Sequence, residues 1–206
     1  MQPLIAQVRA RALDTAKRTD TAAAAHASVL TPASSEQIAA TERRLGHRLP
    51  PVLAEAYAMI GNGGWGPGYG LLGLEGGVEG DPGDGTSIDL YEVFRGEDPE
   101  DPAWHWPEGL LPICDWGCAI RTCVDCTTPD GPVWTFDPNV DREPGDPMER
   151  YFAQTHASVA GWFEDWVNGV KLWDVMFTTE SSVTGINPFT KEPIVISRPV
   201  LRPNRA

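Results

Sequence analysis

The feature that most limits this chain is a place where helix has to stop. Two amphipathic segments follow one another closely and both lead into Gly61-Asn62-Gly63-Gly64. The first opens on a capping box, Ser34 with Gln37 three residues on, carries Ile38, Thr41 and Leu45 on one face, and ends at Gly46. Pro50 and Pro51 can open the second, because a first-turn residue needs no N–H for the helical ladder. Leu53, Ala56, Tyr57 and Ile60 then keep the i, i+3, i+4, i+7 spacing. At residues 61–64 Gly and Asn accept positive φ, so the chain turns sharply. The stretch Trp65-Gly66-Pro67-Gly68-Tyr69-Gly70-Leu71-Leu72-Gly73-Leu74 reads as a Gly-rich loop entering a short strand.

On either side of this pair the pattern changes. Leu4, Ile5, Val8 and Ala12 sit at helical spacing ahead of the run Ala22 to Ala25, a thin stripe that predicts a peripheral helix within residues 1–30. Residues 75–101 hold Glu75, Glu79, Asp81, Asp84, Asp89, Glu92, Glu97, Asp98, Glu100 and Asp101 against Arg95 alone, mostly in Gly/Pro/Asp loop, with one short ordered element around Ile88, Leu90, Tyr91, Val93 and Phe94. Beyond Trp104 the composition becomes strand-like. Leu110–Cys114 and Cys118–Cys126 are expected strands about an Asp115-Trp116-Gly117 turn, and Val133–Phe136 returns antiparallel after Pro129-Asp130-Gly131. A last amphipathic helix starts at Ser158, carries Val159, Trp162, Phe163, Trp166 and Val167, and is extended in this reading through Val170 and Trp173. Residues 181–206 read as a Pro-rich, mildly basic tail.

The chain has 206 residues, 41% of them apolar, enough for one sizeable core. Sixteen Lys and Arg against 29 Asp and Glu leave a net charge of −13, which disfavours the polyanionic surfaces of nucleic acids and membranes and favours a basic protein as partner. No signal-peptide-like or bilayer-length apolar run is present, so a cytosolic location is expected.

The string Glu42-Arg43-Arg44-Leu45-Gly46, then Leu49-Pro50, Tyr57 and Asn62-Gly63-Gly64-Trp65, followed by Gly66-Pro67-Gly68-Tyr69-Gly70-Leu71, resembles the SUKH superfamily. Leu111-Pro112-Ile113 before Asp115-Trp116-Gly117, Pro132-Val133, and the helix with Trp162-Phe163 and Trp166-Val167 continue the likeness, which spans about residues 34–170. The resemblance implies an α+β fold, a mainly antiparallel sheet flanked by helices, here over residues 31–180. It also implies protein binding. Many bacterial SUKH proteins are immunity proteins that block a polymorphic toxin, often a nuclease, and others are intracellular regulators. No catalytic residues accompany the family.

Candidate contact residues follow from the side chains. Trp65 and Tyr69 lie among flexible glycines, and Trp and Tyr dominate interface hot spots, although the same rings would also serve as core cover. Glu97, Asp98, Glu100 and Asp101 are an acidic arm suited to steering a basic partner, or else a solvated loop. Cys114, Cys118, Cys123 and Cys126 hold enough thiols for a zinc site, but their spacing is too short for a paired knuckle and free thiols are the main expectation. The Gly-rich stretch lacks the Gly-Lys-Ser/Thr ending of a phosphate cradle. His26, His47, His105 and His156 are isolated, His105 being expected in an aromatic cluster between Trp104 and Trp106. No catalytic motif appears. The expectation is a protein-binding domain without cofactor or enzymatic activity, an immunity protein for a basic toxin. The alternatives are a regulatory module with no toxin and a zinc-stabilised module or enzyme.

Overall fold

The computed structural model describes residues 3–20, 29–80, 83–140, 147–186 and 193–202, with backbone alone between 179 and 198. The run Ala22 to Ala25, His26 and Asp81 lie outside the described residues. Helix α1 covers Pro3–Leu13, α2 Ser35–Leu45, α3 Pro51–Met59 and α4 Ser87–Phe94. Strands β1 (Leu110–Asp115), β2 (Arg121–Asp125), β3 (Val133–Phe136) and β4 (Phe152–His156) follow. Helices α5 (Val159–Val167) and α6 (Leu172–Met176) then lead into β5 (Phe177–Ile186) and β6 (Pro193–Leu201).

The capping signals act as their chemistry requires. Ser34 accepts from the Gln37 amide while the Gln37 side chain accepts from Ser34 N–H, and Gly46 closes α2 at φ 83°. Thr86 and Asp89 form a second such box, which makes the ordered element inside the acidic stretch a helix. The sheet is an antiparallel meander in the order β1-β2-β3-β4, registered through Leu111↔Val124 and Val124↔Val133. This is the α+β class expected, with helices packed against a mainly antiparallel sheet. Strand β4 carries no strong β pattern in Phe-Ala-Gln-Thr-His and exists because β3 offers it a partner edge.

Four expectations change. Helix α1 is not peripheral: Ile5, Val8 and Ala12 are fully buried against α3 and α5, and the Arg11 guanidinium lies 4.7 Å from the centre of the Trp166 ring. A narrow stripe suffices because small and branched side chains let the helix approach closely. Strand β2 begins at Arg121 rather than Cys118, since Cys118 and Ala119 both take positive φ in the hairpin turn. The last helix does not run through Trp173: Gly169 at φ 78° breaks it, and α6 starts afresh. Finally, the segment read as a Pro-rich tail contributes to a two-stranded β5-β6 ladder, with Pro193 at the first position of its strand, where a missing N–H costs no hydrogen bond.

Candidate protein-binding surface

The Gly-rich region is a framework. Asn62 Oδ1 accepts from Leu74 N at 2.7 Å, its Nδ2 donates to Glu75 O, and its backbone is held by Thr31 O and Val78 N. Gly63, at φ 89°, leaves room for the facing backbone: a Cβ there would sit 2.6 Å from Gly73 N. One amide side chain and a missing side chain thus fasten the turn after α3 to residues 71–78. Tyr57 adds a buried hydrogen bond from its hydroxyl to Leu72 O, and burial raises its pKa further out of reach.

Trp65, read as a contact residue, is a core residue. It is 0% exposed, its ring centroid lies 6.0 Å from that of Phe163, and its indole N–H donates to Gly61 O. The hydrophobic gain from burying a Trp, together with a satisfied N–H, outweighs any use of this ring outside. Tyr69 behaves differently, at 41% exposed. Its backbone N–H is tied to Asp115 O, so the ring rests on the β1–β2 turn close to Gly117. Trp116 in that turn lies 6.2 Å from Trp173, which is 37% exposed, so the outer aromatics run from Tyr69 across the turn to α6. By spacing alone Trp173 belongs to the stripe of a single long helix; the break at Gly169 places it on α6 instead.

The acidic stretch divides into two electrostatic parts. Arg44, in the last turn of α2, reaches Glu75 at 2.6 Å, Asp89 at 2.7 Å and Glu92 at 2.7 Å. The Arg44 hydrogen bond holds the Glu92 carboxyl below its ordinary range. Burial works to raise the Asp89 carboxyl, but hydrogen bonds from Thr86 and Arg44 outweigh it and leave it lowered. A guanidinium satisfies several carboxylates because its donors form a planar fork. Arg95 is the one cation within residues 75–101, but the cation that pairs with these acids is Arg44, distant in sequence. The second part is the arm after α4. Glu97, Asp98 and Glu100 are exposed and Asp101 is half-buried. Asp98 and Asp101 shape this arm by accepting from the backbone N–H groups of Glu100 and Ala103.

The thiols do not converge. Cys114, Cys123 and Cys126 are buried and Cys118 is exposed, and no metal-holding group of three or more His, Cys, Asp or Glu occurs among the described residues. Burial pushes all three inner thiols upward in pKa, so they stay protonated packing groups. Cys114, Cys118, Cys123 and Cys126, weighed above as a zinc set against free thiols, thus lie in different surroundings, three buried and one exposed. His105 is exposed; the aromatic cluster beside it consists of Phe94, Trp104, Trp106, Phe136 and Phe152.

This arrangement of capped helices, glycine-bound turn and meander coincides with a family signature: residues 32–173 match the SMI1 / KNR4 family (SUKH-1). The chain belongs to that family. No curated protein matches it. The SUKH-1 region takes in α2 through the start of α6, so α1 and the β5-β6 ladder flank it. Its glycine and asparagine signature is architectural, whereas the carboxylates Glu97, Asp98 and Glu100 and the rings of Tyr69 and Trp173 are exposed. No helix among the described residues is long and apolar enough to cross a membrane.

Proposed function

We propose that this SUKH-1 chain is a non-catalytic protein-binding domain that acts as an immunity protein, neutralising a cognate toxin, a nuclease being one fitting kind, by covering a basic surface. The observation that carries this reading is the exposed arm of Glu97, Asp98 and Glu100 on a chain of net charge −13. The carboxylates of Glu97 and Glu100 have no hydrogen-bond or ion-pair partner among the described residues, while Arg44 already engages Glu75, Asp89 and Glu92. Exposed carboxylates attract an oppositely charged partner and accelerate encounter. A nuclease must itself present basic surface to bind a polyanion, so it has the complementary chemistry. Tyr69, exposed with its backbone tied to Asp115 O, supplies a ring of a type common in interfaces.

The test joins a cellular and a kinetic arm. Co-expression with the product of the adjacent gene should protect cells from it, and the purified pair should associate quickly at low salt. Reversing Glu97, Asp98 and Glu100 to Lys should slow association about tenfold and flatten its salt dependence. Protection absent and kinetics unchanged would defeat the proposal.

A further inference from the structure

A groove of about 450 Å³ runs across one face of the four-stranded sheet and takes a lining residue from every strand: Leu110 of β1, Asp125 of β2, Trp134 of β3 and Phe152 of β4. Its floor is apolar and aromatic. Its rim carries three carboxylates, Glu108, Asp125 and Glu149, with no Lys or Arg in the lining. Each differs in how far it is already engaged. Glu108 has a 72% exposed side chain and meets His47 Nε2 at 3.0 Å. Asp125 Oδ1 accepts from the Thr127 amide and hydroxyl, leaving its second oxygen available. Glu149 is exposed and its carboxylate has no partner among the described residues. The floor also has an unused donor. The indole N–H groups of Trp65, Trp104, Trp106 and Trp116 each donate to an oxygen, whereas that of Trp134 has no partner among the described residues.

We infer that this groove receives a basic, partly apolar segment of a protein partner, an Arg or Lys flanked by an aliphatic residue. The inference rests on the binding function proposed above and places the partner's anchor on the sheet rather than on the acidic arm. Charge complementarity selects the occupant. An anionic or neutral polar segment would meet three carboxylates, and a purely apolar one would bury charge on the rim without pairing it. A basic side chain lays its methylene stem along Trp134 and Phe152 while its head reaches the rim carboxylates, combining the burial of long cationic side chains with attraction to an aromatic face. The arm at Glu97–Asp101 then steers, and the groove holds.

The test uses the full chain labelled with nitrogen-15 and two synthetic pentapeptides of equal charge, acetyl-Gly-Arg-Leu-Arg-Gly-amide and its Ser-centred analogue. The Leu peptide should shift the Trp134 indole N–H resonance, assigned through Trp134→Phe, and the Ser analogue should do so several-fold more weakly. Glu108→Lys with Glu149→Lys, both at exposed sites that leave the core untouched, should weaken the Leu peptide about tenfold. Three outcomes would overturn the inference: an unmoved Trp134 signal, equal binding of both peptides, or indifference to the double reversal. If shifts gather instead at residues 97–101, the groove assignment fails while the basic-partner reading survives. Loss of toxin protection with the peptide titration intact would have the opposite meaning.

Discussion

Replacing Arg44 by Met removes one cation from among three carboxylates while keeping a long aliphatic stem. The guanidinium side chain is 30% exposed, and its partners Glu75, Asp89 and Glu92 are 41%, 42% and 50% exposed, so solvent screens every pair. Exposed pairs are worth about 0.2–1 kcal/mol each, and leaving the carboxylates to repel one another adds to the loss, so Arg44→Met should cost about 1–2 kcal/mol near pH 7. In a chain of this size that is a fall in Tm of about 2–8 °C. The pH dependence has a definite sign. Asp89 and Glu92 titrate lower in the folded chain than when unfolded, so their stabilisation is complete above the ordinary carboxylate range and disappears as pH falls through their lowered values. Urea unfolding followed by tryptophan fluorescence should therefore show a clear gap between wild type and variant at neutral pH that closes on acidification and shrinks in high salt. Arg44→Lys, a point charge without the fork, should lie between the two. A neutral-pH difference below about 0.5 kcal/mol, or the same difference in acid as at neutrality, would refute the clamp as an electrostatic element.

Asn62→Ala should destabilise the fold by about 1–3 kcal/mol in the same unfolding assay, because the buried Leu74 amide loses its side-chain acceptor and the Glu75 carbonyl keeps only Gln37 of its two side-chain donors. Gly63→Ala should be at least as damaging, its Cβ colliding with Gly73 backbone at a position of positive φ. A thiol reagent applied to the native protein should modify Cys118 rapidly, with Cys114, Cys123 and Cys126 reacting only on unfolding; fast labelling of all four would contradict their burial.

Local chemistry carried much of the fold into the sequence. Ser34, Gln37, Gly46 and Pro51 place α2 and α3 through interactions within a few residues, and the 61–64 turn follows from backbone freedom alone. What the sequence did not reveal depends on distant partners. Arg44 and its three acids are separated by some thirty to fifty positions, and no local pattern links them. Trp65 and Tyr69 stand four residues apart in the same glycine-rich run, yet one is enclosed by Phe163 and Trp166 and the other is not. Only the position of α5 decides between them. The groove at Leu110, Asp125, Trp134 and Phe152 was equally hidden, since its residues gather through strand register.

Helix α1 lies outside the residues that match the family, yet Ile5, Val8 and Ala12 complete the layer beside Trp166. The boundary of shared ancestry and the boundary of cooperative folding are therefore different lines in this chain. A fragment trimmed to residues 32–173 would retain every signature position and still present to solvent the apolar face that α1 now covers, a surface prone to self-association. For this domain, recognisable kinship marks out less of the chain than the unit that has to fold.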